Sequence, residues 1–271
     1  MLRDDRERFE QEYRNWIRLM SRDAACRLEA LPADKKKAVL KAYEDFRDPL
    51  AVFRPLQDQE RVKRLKGEII SNFIVLETDA VTFFPSVYSS APAILDFAVA
   101  MNRCIFCKGL WFPIIVLNSA YIQQSSDRML CFALEHELEM NRIYQSVSLN
   151  LKALSREEKQ NTMDSALEIS ANRLKITEQE LIEDERLMHR VSMTQPLIPK
   201  PYAERAMLIF LEANLQRLQS FGRESLNPEE VVFGNELYEE FQSWSEFSSQ
   251  TYDLFVREIL LNLREANRGY G

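Results

Sequence analysis

The chain has 271 residues with 35 basic and 42 acidic side chains, which gives a net charge of −7. A chain with this acidic balance is not expected to bind nucleic acid, because nucleic-acid-binding domains present a basic surface. Hydrophobic residues make up 46% of the sequence and only 6 residues are glycine. This composition favours helices over an all-β design and provides a sizeable core. The length suffices for one large domain or two small ones, and we predict a single domain over residues 1–271.

The N-terminal residues MLRDDRERFEQEY are charged throughout, so we expect no secretion signal. The most apolar region, residues 91–117, is interrupted by Asp96, Arg103 and Lys108, so we expect no membrane span. A cytoplasmic protein with reduced thiols is therefore predicted. The four cysteines are Cys26, Cys104, Cys107 and Cys131.

The first part of the chain is predicted to form helices and a small sheet. The helical spacing of apolar side chains predicts helices over residues 2–30, 34–46 and 56–69. Residues 71–78 are predicted to form a strand, with 81–87 as its partner, because they are rich in β-branched and aromatic residues. Residues 91–108 are predicted to form a buried helix, since Ala, Ile, Leu, Phe, Val and Met dominate them.

The stretch from Trp111 to Gln145 predicts a strand, a short turn and a long helix. Residues 112–122 are an apolar, β-branched run, which is typical of a buried strand. A polar turn follows over residues 123–127, where Ser125 or Ser126 can cap the next helix. That helix is predicted over residues 127–150.

The faces of this helix differ in polarity. One face is polar and is expected to be solvated; its residues are Arg128, Glu135, Glu139 and Arg142. A second face is apolar apart from His136; its other residues are Met129, Phe132, Ala133, Met140, Ile143 and Val147. Glu137 lies on a third, mixed line and also points away from the solvated face. His136 and Glu137 therefore need polar partners in the interior.

The strand, the turn and the His136-Glu137-Leu138-Glu139-Met140 segment resemble the zincin metallopeptidases. In that family two histidines one helical turn apart bind zinc, and the glutamate activates the bound water. The resemblance implies that His136 is a metal ligand and that Glu137 is the catalytic base. Met140 replaces the second histidine, and a thioether is a poor zinc ligand. The resemblance therefore implies a damaged zinc site.

Other residues could complete a metal site. His189 is the other histidine of the chain, and Glu185 precedes it by one helical turn, so His136, Glu185 and His189 form one candidate ligand set. An ordinary helix pair between Glu185 and His189 is the alternative. Gluzincins take a third ligand from a later helix, and the candidates for it are Glu168, Glu180, Asp184, Glu185 and His189. Asp184 also lies on an apolar stripe, so it needs a polar partner.

Cys104 and Cys107 form a C-x-x-C motif, which occurs in redox pairs and in zinc sites. The sequence has no second C-x-x-C to complete a structural zinc site. Apolar residues surround the pair, so two buried, reduced thiols without zinc are the favoured interpretation.

The second half of the chain is predicted to be helical. Capping boxes at Ser155 and Thr177 predict helices over residues 155–174 and 177–193. Residues 195–201 contain three prolines and predict an extended connector, which is the best candidate for an internal junction. Further helices are predicted over residues 202–221 and 228–267.

These patterns predict an α+β fold, predominantly helical, with a small sheet beside the helix that carries His136. The first functional hypothesis is a degenerate zincin-like protein without ordinary zinc peptidase activity, which retains an unusual site for a divalent metal, with zinc as the first candidate. The alternative is a non-catalytic helical protein that acts as a scaffold or binds a protein or peptide partner. The sequence leaves open whether the protein is an enzyme.

Overall fold

A computed structural model describes most of the chain. The described residues are 14–15, 18–22, 24–45, 52–56, 60–61, 64–65, 73–85, 95–107, 110–146, 156–218, 231–233, 253–265 and 268. Within these ranges helices predominate and two small sheets are present, which confirms the predicted α+β class. None of the described helices is long and apolar enough to cross a membrane.

The helices carry most of the described residues. Their bounds are α1 Ala33–Asp45, α2 Ser119–Gln124, α3 Asp127–Ser146, α4 Arg156–Leu174, α5 Glu178–Thr194 and α6 Lys200–Leu218. Residues 24–29 and 253–265 are also helical. The predicted capping box at the start of α5 is confirmed, since Thr177 and Glu180 each accept a hydrogen bond from the other's backbone N–H. The predicted box at Ser155 lies outside the described residues.

The strands form two sheets. Their bounds are β1 Arg54–Pro55, β2 Ile74–Thr78, β3 Val81–Pro85, β4 Leu95–Ala98, β5 Ala100–Cys107, β6 Leu110–Asn118, β7 Leu197–Pro199 and β8 Val231–Phe233. The larger sheet has the order β1-β2-β6-β5-β8, in which β2 and β6 are parallel and the other pairs are antiparallel. The smaller sheet has the order β4-β3-β7.

Residues 95–107 are not the predicted buried helix. They form β4 and β5, and β5 pairs with β6 along its whole length, from Ala100 opposite Leu117 to Cys107 opposite Leu110. A short apolar run fits a buried strand as well as a buried helix, so periodicity alone does not distinguish them. Pairing with β6 decides in favour of the strand.

Three other predictions are wrong in part. Strand β3 does not pair with β2; it pairs with β4 and β7 in the smaller sheet. The predicted 195–201 connector contains β7, which joins that sheet. Residues 231–233 form a strand on the edge of β5 rather than a helix. In each case a partner that is distant in the sequence supplies the hydrogen bonds, and this was not visible in the local pattern.

The predicted strand over residues 112–122 ends at Asn118. The next residues form α2, because the buried Asn118 side chain caps this helix. Its Oδ1 accepts hydrogen bonds from the backbone N–H groups of Ala120 (2.9 Å) and Tyr121 (3.2 Å), and its Nδ2 donates to the Ala80 carbonyl (2.9 Å). One side chain therefore ends the central strand and fixes the direction of the chain that follows.

The core lies around the parallel pair β2 and β6, whose residues from Ile74 to Thr78 and from Ile114 to Asn118 are all buried. Helix α3 packs on β5 and β6, with Leu130, Leu134 and Leu138 in the main core. Strands that are buried on both faces appear in the sequence as nearly continuous apolar runs. This explains why β2 and β6 were both predicted as strands.

We predict that Asn118→Ala lowers the free energy of unfolding by about 2–4 kcal/mol, because it removes an N-cap and leaves the buried Ala80 carbonyl without its donor. Urea unfolding followed by circular dichroism measures this. Asn161→Ala on the exposed side of α4 is the matched control, and it should change stability by less than about 0.5 kcal/mol. An equal effect of the two substitutions would contradict the prediction.

Candidate functional site

Helix α3 carries the two residues that resemble the zincin motif, and its first turn is firmly anchored. The guanidinium of Arg61 donates hydrogen bonds to Asp127 (2.7 Å) and to the backbone carbonyls of Ile122 and Ser125 (2.7 and 2.8 Å). The Ser126 hydroxyl accepts a hydrogen bond from the N–H of Met129. Arg64 also donates a hydrogen bond of 2.7 Å to Asp127. Residues at the end of α2 and the start of α3 are therefore held by arginines that precede them by more than 60 positions.

Glu137 faces β5. Its carboxylate accepts a hydrogen bond from the side-chain amide of Asn102. The side-chain oxygen of Asn102, Oδ1, accepts a hydrogen bond of 3.0 Å from the side-chain nitrogen of Asn141, Nδ2. The prediction that Glu137 needs a polar partner is confirmed. This partner is a neutral amide, so Glu137 keeps acceptor capacity for a further hydrogen bond.

His136 is half-buried. Its Nδ1 atom is shielded from solvent and has no hydrogen-bond partner among the described residues. Its ring lies 6.3 Å from the ring of Phe132, centroid to centroid. Met140, one turn further along α3, is only 8% exposed. The face that carries His136 and Met140 is therefore largely apolar, as predicted.

The predicted solvated face of α3 is instead covered by α4. Glu135 and Glu139 are buried there, and both form ion pairs with Arg142 and with Arg173 of α4. Among the side chains of α4 that the structure describes, the buried ones are small; they are Thr162, Ala166 and Ser170. Their spacing of one helical turn places them on one face, which allows α4 to approach α3 closely. The two arginines neutralise the carboxylates that this approach removes from water.

The other candidate ligands are distributed over separate elements. Glu185 and His189 lie on the exposed side of α5, Glu168 is exposed on α4, and Glu180 is occupied by the capping box and by Arg128. No group of three or more His, Cys, Asp or Glu residues that could hold a metal ion is found in the part of the chain that the structure describes. The predicted set of His136, Glu185 and His189 is therefore not assembled there.

Asp184 has the polar partner that its position required. The Tyr121 hydroxyl donates a hydrogen bond of 3.0 Å to its carboxylate, and both side chains are buried. Burial raises the pKa of the Asp184 carboxyl group, and the hydrogen bond from Tyr121 offsets part of this rise. Burial and the neighbouring carboxylate also raise the pKa of the Tyr121 hydroxyl group. The hydrogen bond between Tyr121 and Asp184 therefore connects α2 to α5.

A second polar cluster, centred on Arg54, was not predicted. The Arg54 guanidinium donates to Glu77 (2.5 Å), to both carboxylate oxygens of Asp79 (2.6 and 2.7 Å) and to the Ser119 hydroxyl (2.9 Å). The hydrogen bonds from Arg54 lower the pKa of the Asp79 carboxyl group. Asp79 and Ser119 directly follow β2 and β6, where the ends of parallel strands meet. Two predicted strands that each end in a polar residue could have indicated that Asp79 and Ser119 lie close together. Nothing in the sequence indicated that Arg54 would contact them.

The cysteines are only partly described. Cys104 and Cys107 lie in β5, but their side chains are outside the described residues, so their reduced, zinc-free state remains a prediction. Cys26 is exposed and Cys131 is buried, and neither is in a disulfide.

Comparison of the chain with protein-family models, with curated proteins and with solved structures gave no match. The resemblance to zincins therefore rests on the order of strand and helix and on the residues His136 and Glu137.

We predict that Asp184→Asn changes the pH dependence of stability. The folded-state pKa of Asp184 is raised above its unfolded value of about 3.9, so its stabilising contribution is fully present below about pH 4 and is lost as the pH rises through the folded-state pKa. The unfolding free energy of the wild type minus that of Asp184→Asn should therefore fall as the pH rises.

Urea unfolding of both proteins between about pH 4 and pH 7 measures this difference. Asp164→Asn, on the exposed side of α4, is the control and should show no such trend. A difference that is constant or increases with pH would contradict the assignment.

Proposed function

We propose that this protein is a degenerate zincin-like protein that binds a protein or peptide partner and does not hydrolyse peptide bonds through zinc. The observation that carries the proposal is Met140, which occupies the position of the second zinc ligand and is 8% exposed. A neutral thioether does not replace the imidazole that zinc prefers, and its burial suits a packing role.

The surroundings of Glu137 support the same proposal. A zincin glutamate removes a proton from a water molecule that the metal has activated. In this protein the carboxylate is held by Asn102 against the sheet. A hydrogen bond from the Asn102 amide restricts the rotation of the Glu137 carboxylate, which suits a fixed polar contact between α3 and β5.

The runner-up is an unusual divalent-metal site that uses His136. The shielded Nδ1 atom of His136, which has no partner within the described part of the chain, favours this alternative. The positions of Glu185 and His189 on the exposed side of α5 oppose it, because no group of three His, Cys, Asp or Glu residues that could hold a metal ion is found among the described residues. A metal held by His136 and Glu137 alone would have too few protein ligands for stable zinc binding.

We expect the purified wild-type protein to contain zinc far below one equivalent and to leave casein intact. Metal content by mass spectrometry and a casein assay with and without a chelator measure these properties. Stoichiometric zinc together with chelator-sensitive cleavage would overturn the proposal, and stoichiometric metal without cleavage would favour the runner-up.

We also predict that Met140→His raises zinc affinity by at least about tenfold, because residues 136 and 140 lie one turn apart on the same face of α3. Competition with a chromogenic chelator measures the affinity. Met140→Leu is the matched control, since it keeps an apolar side chain of similar volume and should not change zinc binding. Equal affinities of the two variants would show that His136 is not oriented as a ligand.

A further inference from the structure

Two helical segments pack on the same face of the smaller sheet; they comprise residues 18–22 with 24–29, and residues 253–265. In the second segment Phe255 contacts Phe83 of β3, with ring centroids 5.3 Å apart. In the first segment the Arg27 guanidinium lies 4.9 Å from the ring centroid of Phe97 in β4. Phe83 and Phe97 are directly opposite each other in the β3–β4 ladder, so their side chains project from one face of the sheet.

The two segments also contact each other. The Asn262 side-chain amide donates a hydrogen bond of 3.3 Å to the hydroxyl of the buried Ser21. Each segment turns one side into the main core, with the residues Met20, Ala24 and Leu28 in the first and Phe255, Val256, Ile259 and Leu263 in the second. The segments therefore form one layer over the sheet, which we call the two-helix layer, and its outer side is exposed.

The outer side of the two-helix layer concentrates arginines that have no partner. Among the residues that the structure describes, eight exposed arginines make no side-chain ion pair or hydrogen bond. Six of them lie on or directly beside this layer; they are Arg14, Arg18, Arg22, Arg257, Arg264 and Arg268. The other two lie on α5 beside three exposed glutamates, which are Glu178, Glu183 and Glu185.

Carboxylates do not cancel the charge of these arginines. Glu29 is compensated by an ion pair with Lys36, at 2.6 Å. The other carboxylates among the described residues of the layer are Asp253, Glu258 and Glu265, and Glu258 is half-buried. Six arginines against three carboxylates leave this surface positive, although the chain as a whole has a net charge of −7.

Large apolar side chains are exposed on the same outer side. Leu19, Leu260 and Leu261 are 52%, 39% and 43% exposed, and they are three of the seven exposed large apolar residues in the described part of the chain. Leu19 precedes Ser21 by two residues, and Leu260 precedes Asn262 by two residues. Two residues correspond to a rotation of about 160° around a helix, so both leucines point away from the contact between the segments.

We propose that the outer side of the two-helix layer binds the surface of an anionic lipid bilayer. The arginines donate hydrogen bonds to the phosphate and carboxylate groups of the lipid headgroups. The leucines enter the boundary between headgroups and acyl chains, which removes their apolar surface from water. The contact is peripheral, since none of the described helices is long and apolar enough to cross a membrane. This proposal goes beyond the proposed function and does not depend on it.

The positions of the leucines favour a bilayer over other anionic occupants. A partner helix docks in an apolar groove, whereas the contact between the two segments is made by the polar residues Ser21 and Asn262. Nucleic acid provides phosphates but no apolar layer for the leucines. A bilayer provides an anionic plane and an apolar region within reach of exposed leucines.

Cosedimentation of the full chain with lipid vesicles tests the proposal. The chain should bind vesicles of equal parts phosphatidylcholine and phosphatidylserine at least about tenfold more tightly than vesicles of phosphatidylcholine alone. Binding to the anionic vesicles should weaken with added salt, because the arginines are exposed.

The variant Arg257→Glu with Arg264→Glu should weaken binding to the anionic vesicles by at least about tenfold. The matched control is Arg186→Glu with Arg190→Glu, which makes the same change in net charge on the exposed side of α5. It should weaken binding by less than about threefold, since α5 lies outside the layer.

The variant Leu260→Ser with Leu261→Ser tests the apolar contribution at constant charge. It should weaken binding to the anionic vesicles by at least about threefold. The control is Leu167→Ser with Ile169→Ser, which removes two exposed apolar side chains from α4 and should leave binding unchanged. All four double variants replace exposed side chains, and circular dichroism verifies their folding.

Four results would overturn the proposal. They are equal binding to the two kinds of vesicle, equal loss of binding in the two arginine variants, unchanged binding of the Leu260→Ser, Leu261→Ser variant, and tighter binding of poly-glutamate than of the anionic vesicles. The last result would assign the surface to an acidic protein instead. The zinc and casein measurements do not involve this layer, so their outcome is independent of the vesicle measurements.

Discussion

The arrangement of the central elements depends on the side chain of Asn118. Its side-chain oxygen accepts hydrogen bonds from two backbone N–H groups of α2, and its side-chain nitrogen donates one to the carbonyl of Ala80. Asn118 therefore connects the end of β6 to the loop after β2. A buried amide that uses both its donor and its acceptor tolerates little displacement. The direction of α2, and through it the start of α3, follows from this contact. Asn102, which contacts Glu137, lies on β5, the next strand of the same sheet.

The two sides of α3 are stabilised by different physical terms. Toward the sheet, leucines provide apolar burial, and the chain of Glu137, Asn102 and Asn141 satisfies the polar groups. Toward α4, two buried carboxylates are neutralised by arginines that remain partly solvated. Removal of one partner from such a cluster is costly because it leaves an uncompensated buried charge. The helix is thus fixed in rotation, which keeps His136 and Met140 on the same apolar side.

The sequence predicted correctly the elements that depend on interactions between residues close in the sequence or on continuous apolar runs. The helical spacing, the capping box of Thr177 and the buried runs of β2 and β6 reflect short-range physics, and the structure confirms them. The interior position of Asp184 was also predicted, although its partner Tyr121 was not. The failures share one cause, which is a partner that is distant along the chain. Residues 100–107 form a strand because they pair with β6. The face with Glu135 and Glu139 was expected to be solvated, but it is buried because α4 covers it. A helix wheel identifies which residues share a face, but it does not identify what covers that face.

Arg54 has a consequence for the order in which the chain folds. The hairpin of β5 and β6 brings together residues that are close in sequence, whereas the parallel pairing of β2 with β6 closes a much longer loop. The Arg54 guanidinium contacts both strand ends, because its acceptors are Glu77 in β2, Asp79 directly after β2, and Ser119 directly after β6. It can bind them together only when the parallel pair has formed. We therefore expect the contacts of Arg54 to form late in folding and to slow the opening of the sheet more than they speed its assembly.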